Sequence, residues 1–368
     1  MVRVAGVRLR DFRGYQDARV TLGEGLTVVS GPNGSGKTNL LEALYLGCTG
    51  RSCRTNNDRE VVRFGARAAR VVIEAHGEDG AHELSVGVAP AQAKRIRVDG
   101  APVERLLELP GRPRVSVFLP DRLELIKGAP SLRRAHLDQF VAALWPARGA
   151  TRRAYSQALA QRNALIARIR SGSGSRSALG SWDVQLARHG VSLMEDRDHA
   201  VRAMSDSFCR IGGELGLNGN PVLAYRPRSR ARDPEQLALE LAERIDGDLE
   251  RGFTSHGPHR DDLLALREGR ELRVYGSQGQ QRLALLSLLL AEREALAVRR
   301  SSSPLMLLDD VMSELDRTRR QALVELLRGT GGQSVITTTD LEHVPGAMDL
   351  DIARLVVSGG RVLEHAAA

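Results

Sequence analysis

Residues Val28 to Thr38 read VVSGPNGSGKT, and this run constrains the chain more than any other. A short apolar strand leads into Gly31, and Gly36, Lys37 and Thr38 then open an apolar helix. That is the G-x-x-x-x-G-K-[ST] phosphate loop in its strand–loop–helix setting. Gly31, Gly34 and Gly36 let the backbone curl so that successive N–H groups face one anion. The helix N-terminus adds partial positive charge. Lys37 is a compact ammonium that reaches β- and γ-phosphates, and Thr38 offers a hydroxyl to Mg²⁺. The candidate nucleotide contacts are Gly31, Asn33, Gly34, Ser35, Gly36, Lys37, Thr38 and Asn39. Lysine usage sharpens the reading. Only Lys37, Lys94 and Lys127 are lysines among 53 basic residues, so the chain writes Arg almost everywhere except in this loop.

The 368 residues suggest about two domains. The net charge of +8 favours an anionic partner, although a general preference for Arg would also produce it. No uninterrupted apolar window is long enough to span a bilayer, and the N-terminus lacks a signal-peptide core. No membrane association is expected. Cys48, Cys53 and Cys209 cannot all pair, which fits a reduced, cytoplasmic chain. His256 and His259 are spaced HxxH, but Gly257 and Pro258 break the helix that such a ligand pair needs.

The first hundred residues read as short strands at Val2–Leu9, Leu26–Ser30, Arg70–Ala75, Glu83–Val88 and Arg95–Val98, interrupted by one helix from Gly36. Helical periodicity then takes over. It is seen in Leu137, Phe140, Val141 and Leu144, in Val201, Met204, Phe208 and Ile211, and in Leu237, Leu241, Ile245 and Leu249. After Phe253 the order returns to strand, helix, strand. The expected layout is an α/β head made of 1–122 and 253–368, split by an inserted mainly α-helical domain at 123–252.

Leu305 to Asp310 reads LMLLDD, a buried strand ending in two carboxylates. Asp309 is placed to hold the Mg²⁺ shell, and Asp310 to orient or deprotonate an attacking water, with Lys37 as the other catalytic candidate. No Asn-Lys-x-Asp guanine reader surrounds any lysine, so ATP is the expected nucleotide. Tyr275 to Arg282 reads YGSQGQQR before a long apolar helix, forming a second anion-binding end. One chain does not need two cradles for one ATP. Ser277, Gln278, Gly279 and Gln280 are therefore expected to cap the γ-phosphate held by another copy.

These residues resemble the ABC-type ATPase heads of the SMC, Rad50 and RecF group. SQGQ stands at the signature, and Ser313 to Asp316 (SELD) at the D-loop, with Ser313 and Asp316 as candidates. LRDFRGY, TGRSCRT, IKGAPSLRRAHLD, GPHRDD and TTTD look like the RecF subgroup, and the matches run from residue 9 to residue 340. The resemblance implies a P-loop head with a mixed sheet core and an antiparallel β subdomain. It also implies an ATP-dependent homodimer on double-stranded, gapped or junction DNA, helping recombinase loading with RecR, and weak DNA-stimulated ATP hydrolysis. Two departures stand out. Thr338 or Thr339 occupies the place of a switch His, and Pro120-Asp121 that of the Q-loop Gln. With Asp310 in place of the longer Glu, slow turnover is expected: an ATP switch rather than a motor.

Seven arginines and no acidic residue occur from Arg148 to Arg176. Arg133, Arg134, Arg148, Arg152 and Arg153 are the candidate DNA contacts. Only Trp145, Tyr155 and Trp182 lie nearby as stacking candidates, which favours phosphate contacts over stacking platforms. Other readings are a transporter head, a long coiled-coil tether and a scaffold with a dead nucleotide site. The missing switch His and Q-loop Gln disfavour the first, the short insert the second, and Lys37, Thr38, Asp309 and Asp310 the third.

Overall fold

In the computed structural model, residues 2–90, 92–106, 109, 111–119, 123–300, 303–329 and 331–364 are described. The chain opens with β1 (Arg3–Phe12), β2 (Tyr15–Thr21), β3 (Leu26–Ser30) and α1 (Lys37–Thr49). Then follow β4 (Ala69–Gly77), β5 (Gly80–Val88), β6 (Arg95–Val98), β7 (Ala101–Pro102) and β8 (Val115–Phe118). The middle of the chain carries α2 (Glu124–Lys127), α3 (Pro130–Leu144), α4 (Gly149–Arg170) and α5 (Leu179–Glu214). After these come β9 (Val222–Arg226), α6 (Pro234–Ala242), α7 (Ile245–Arg251), β10 (Asp262–Arg267), β11 (Arg270–Glu271), α8 (Leu272–Tyr275) and α9 (Gln278–Arg300). The last elements are β12 (Leu305–Leu308), α10 (Arg317–Gly329), β13 (Ser334–Thr338), β14 (Ala353–Ser358) and β15 (Arg361–Glu364).

Contacts divide the chain into two units, 1–122 with 296–368, and 123–295. The first unit contains two six-stranded sheets. One runs β15-β14-β3-β13-β12-β8 and is parallel except for the edge strand β15. Strands β3, β12 and β13 are buried along their whole length, as continuous apolar runs inside a parallel sheet should be. The other sheet is antiparallel, ordered β2-β1-β4-β5-β6-β7. Its strands alternate: Val4, Val7, Leu9, Val71 and Ile73 are buried, whereas Arg8, Arg10 and Arg70 are exposed.

Helix α1 joins both sheets in one core. Leu40, Leu41, Leu44 and Leu46 cluster with Val7, Leu9 and Ile73 of the antiparallel sheet and with Val29, Leu307 and Val335 of the parallel one. Gly47 lets α1 lie close to β4, because a Cβ there would sit 2.4 Å from Ile73 Cγ1. The phosphate loop is thereby fixed at the C-terminal end of β3, where open parallel sheets bind ligands.

The second unit is mostly helical, with a three-stranded antiparallel sheet, β11-β10-β9. Val201, Met204, Phe208 and Ile211 form a buried stripe on the 36-residue α5. Residues 253–295 were expected with the head, yet they group with this unit. The physical reason lies in the GPHRDD segment. Strand β10 pairs with β9, and Asp262 accepts both Arg133 Nε and Nη2 at 2.7 and 2.8 Å. Asp261 is buried among Arg197, the Tyr225 hydroxyl and the Arg228 N–H. His259 accepts or donates at 2.7 Å to the Tyr155 hydroxyl and lies 2.9 Å from the Thr254 carbonyl. The single periodic run from Leu237 to Leu249 is broken into α6 and α7. Among the described residues, no helix is long and apolar enough to cross a membrane.

Candidate functional site

The loop after β3 is shaped by contacts that exclude side chains. At Gly31 a Cβ would lie 2.2 Å from the Val357 carbonyl oxygen, and at Gly36 it would meet the Tyr15 hydroxyl at 3.1 Å. Gly36 caps α1 in the left-handed region, and the Tyr15 hydroxyl donates to its carbonyl at 2.9 Å. The first turn of α1 holds no acidic residue, and no side chain caps it. Its N–H groups and dipole are left for an external anion.

Lys37 Nζ donates to the carbonyls of Gly31 and Pro32 at 2.7 and 3.0 Å, so the ammonium lies across the loop. Burial lowers its pKa, and the carboxylates of Asp310 and Asp309 work against that. The Thr38 hydroxyl lies 3.0 and 2.9 Å from the two carboxylate oxygens of Asp309, which ends β12. Asp309 N–H donates to the Phe118 carbonyl at 3.0 Å, fixing the carboxylate against the end of β8.

Asp310 takes the left-handed conformation, φ 44° and ψ 30°, which costs a non-glycine residue energy unless its surroundings hold it. Its N–H donates to Thr337 Oγ1 at 2.9 Å, and Ser313 Oγ donates to its Oδ2 at 3.0 Å. Its Oδ1 is buried without a partner, and so is Ser35 Oγ. Two unmet polar atoms beside an uncapped helix end fit a phosphate group and a water.

Mg²⁺ fits this donor set. It prefers oxygen ligands, and the Thr38 hydroxyl and Asp309 carboxylate supply them side by side. Phosphate oxygens and water ordinarily complete such a shell. Among the described residues no group of three or more His, Cys, Asp and Glu could hold a metal by itself.

The three threonines after β13 divide their roles. Thr337, not Thr338 or Thr339, reaches the carboxylates, donating to Asp309 Oδ1 at 2.7 Å. Thr338 Oγ1 instead donates to the Asp340 carbonyl at 2.8 Å. Pro120-Asp121 lies outside the described residues.

A hub behind the loop explains two of the short motifs. Glu42, in α1, is fully buried, and its carboxylate accepts Arg13 Nε and Nη2 at 2.9 and 2.7 Å. It also accepts Ser52 Oγ at 2.6 Å and Arg54 Nη1 at 3.3 Å. Arg54 Nη1 donates to Asn39 Oδ1 as well, at 3.1 Å, so Asn39 is engaged within the chain. Gly34 and Asn33 are exposed at the loop tip.

In the second unit, Ser277 and Gln280 form a reciprocal capping box at the start of α9. Ser277 N–H donates to Gln280 Oε1 at 2.9 Å, and Gln280 N–H to Ser277 Oγ at 3.3 Å. Gln278 and Gly279 are exposed between them. Asp316 caps α10 by accepting Arg319 N–H at 2.9 Å.

The candidate DNA arginines separate. Arg133 must be corrected: it is buried, with its guanidinium committed to Asp262. Arg134 is half-buried and donates to the Asp261 carbonyl at 2.8 Å. Arg148 lies over the Trp145 ring and pairs with Asp196 at 3.0 Å. Arg152 is exposed and pairs with Asp138 at 3.2 Å. Arg153 is exposed with no partner among the described residues. Of the aromatics, Tyr155 is buried, and Trp182 packs against Leu165, Ile166 and Leu179.

The family described as RecF/RecN/SMC N terminal domain matches residues 3–356. The DNA replication and repair protein RecF of Myxococcus xanthus (strain DK1622) is 37% identical over 100% of this chain and 98% of its own length. That of Anaeromyxobacter sp. (strain Fw109-5) is 36% identical over 98% and 99%. Among solved structures, the recombination mediator protein RecF with ATP superposes with a TM-score of 0.82 at 28% identity, covering 99% of this chain and 98% of that one. An Smc head domain from Pyrococcus furiosus, 17% identical, shares the fold with a TM-score of 0.60 over 100% and 97% of the two chains. The chain thus carries an ABC-type ATPase head with a mixed sheet and an antiparallel β subdomain, and it belongs to the RecF family.

Proposed function

We propose that this chain is an ATP-switched DNA-binding mediator of recombinational repair. The observation that carries the reading is the convergence of Thr38, Asp309 and Thr337 beside an uncapped P-loop helix, with Asp310 Oδ1 and Ser35 Oγ left unmet. ATP binds with its phosphates on the backbone of Gly31–Thr38 and the first turn of α1. Lys37 swings from the loop carbonyls to the β- and γ-phosphates. Thr38 and Asp309 would hold Mg²⁺, which would supply charge neutralisation to the phosphates. Asp310 accepts a proton from the attacking water through Oδ1, its backbone held by Thr337 and its other oxygen by Ser313.

The signature end of α9 acts in trans. Ser277, Gln278, Gly279 and Gln280 cap the γ-phosphate held by a second copy, and Ser313 and Asp316 lie in the facing D-loop. ATP therefore drives head-to-head dimerisation on DNA at gaps or single-strand/double-strand junctions. Slow, DNA-stimulated hydrolysis resets the clamp, and RecR joins it in loading recombinase. The RecF name of the relatives and the ATP-bound RecF structures support this reading.

Sedimentation with and without ATP and gapped DNA tests it. ATP-dependent dimerisation that Ser277→Arg abolishes is the expected result. A monomer that binds ATP yet never pairs would overturn the composite site. Turnover faster than about 10 per second would overturn the switch.

A further inference from the structure

Phe64 is 99% exposed, the most exposed of the large hydrophobic side chains among the described residues. It sits on a turn in which Ala66 N–H donates to the Arg63 carbonyl at 2.9 Å and Gly65 takes the left-handed conformation. Both the backbone and the side chain of Arg63 are tied to Asp11. Its N–H donates to the Asp11 carbonyl at 2.8 Å, and its Nε to the carboxylate at 2.7 Å. Val62, just before the turn, forms an isolated antiparallel bridge with Phe12 at the end of β1. The turn that carries the ring is thus anchored, so its backbone needs little ordering before the ring binds.

That turn leads into β4 at the end of the antiparallel sheet that carries a row of arginines. On the solvent face Arg10 of β1 faces Arg70 of β4, Arg70 faces Gly87 of β5, and Gly87 faces Arg95 of β6. Directly opposed like charges destabilise a sheet, so such a row points to an anion outside it. Across four strands it spans about 14 Å. Gly87 leaves the middle of the row low.

The other end of the face is neutralised. Arg8 pairs with Glu74 and Glu83, and Arg19 with Glu74. The row near Phe64 is not. Among the described residues Arg10 and Arg67 have no hydrogen-bonding or ion-pair partner, and Arg95 donates only to Gln92. Arg70 reaches Ser85 at 3.0 Å and Glu83 only at 4.0 Å. Asp17 faces Arg10 across β2 without forming an ion pair.

We infer that the solvent face of this sheet is a DNA-junction site, with Arg10, Arg70 and Arg95 on duplex phosphates and Phe64 stacking on the base pair exposed where the duplex ends. A lone exposed ring beside a basic row suits a terminal base pair, since an unbroken duplex offers no free base face. This inference rests on the DNA-binding reading above and adds the residue that tells a junction from continuous duplex.

The test uses the full chain with ATP and two probes, a continuous duplex and the same duplex carrying a gap with 2-aminopurine at its edge. Phe64→Ala should cut the preference for gapped DNA about tenfold and abolish the change in 2-aminopurine fluorescence on binding. Affinity for continuous duplex should stay the same. Phe64→Trp should restore both. Arg10→Ala with Arg95→Ala should weaken both probes alike and flatten the salt dependence, by about 0.9 in log–log slope per lost phosphate contact. Phe64→Ala protein that still prefers the gap removes Phe64 from the site. If the unsubstituted protein binds neither probe, the DNA-binding reading itself falls.

Discussion

Thr337 Oγ1 donates to Asp309 Oδ1 at 2.7 Å while accepting the N–H of Asp310 at 2.9 Å. One hydroxyl on β13 thereby sets both acidic residues at the end of β12, one through its side chain and the other through its backbone. Thr337→Val keeps the shape and removes both bonds. It should lower ATP turnover by one to two orders of magnitude, about 1.4–2.7 kcal/mol in barrier, because Asp310 loses its hold. ATP binding should change little. Single-turnover hydrolysis compared with nucleotide titration would separate the two, and unchanged turnover would remove Thr337 from the site.

Glu42 joins α1 to two loops through Arg13, Ser52 and Arg54, with no exposure to solvent. Glu42→Ala leaves guanidinium groups facing an empty pocket. The expected cost is about 3–5 kcal/mol in urea unfolding, whereas Arg54→Ala, which removes an outer and longer bond, should cost about 1 kcal/mol. Equal losses in the two variants would contradict the hub.

Burial lowers the His259 pKa from 6.5 to about 4. The unfolded chain therefore binds more protons between those values, so acidification through that window destabilises the fold, and stability is fully present only above about 6.5. The loss is on the order of 3 kcal/mol. Melting curves of wild type and His259→Asn across the window would check this. A variant whose stability falls as steeply as the wild type below pH 6 would assign the effect elsewhere.

Arg133 and Arg153 were read from the sequence as equivalent candidates, and the structure separates them. Arg133→Ala removes both charge-assisted bonds from Asp262 of the GPHRDD segment, leaving the longer contact to Arg273 at 3.6 Å as its ion pair, and should cost about 3 kcal/mol. Arg153→Ala should change stability by less than about 0.5 kcal/mol, so any loss of DNA affinity there reports on contact alone. Thermal denaturation of the two variants side by side decides it.

What could be read from the sequence was local. The P-loop and the LMLLDD strand carry their chemistry in consecutive residues, so spacing alone specified strand, loop and helix. Thr337 and Glu42 escaped because each acts through partners outside its own element, from 10 to 29 residues away in the chain, which no periodicity reports. The S-x-x-Q spacing at Ser277 was visible as a helix start, but its reciprocal bonding was read as an anion cradle alone. Arginine density misled at Arg133, since a count of charges does not say which guanidinium is buried on a carboxylate. Phe64 escaped for a simpler reason: one phenylalanine in a strand-rich region looks like core until its turn is seen.

The capping box at α9 has one more consequence. Ser277 and Gln280 satisfy each other, so in a single chain the N–H of each is already bonded, while Gln278 and Gly279 stay exposed between them. An anion that recruits the Ser277 hydroxyl or N–H must displace a bond instead of filling a gap. A contact that supplies several bonds together offsets that loss, whereas one that supplies a single bond does not. The box thereby sets a threshold at this end and favours a fully assembled partner surface.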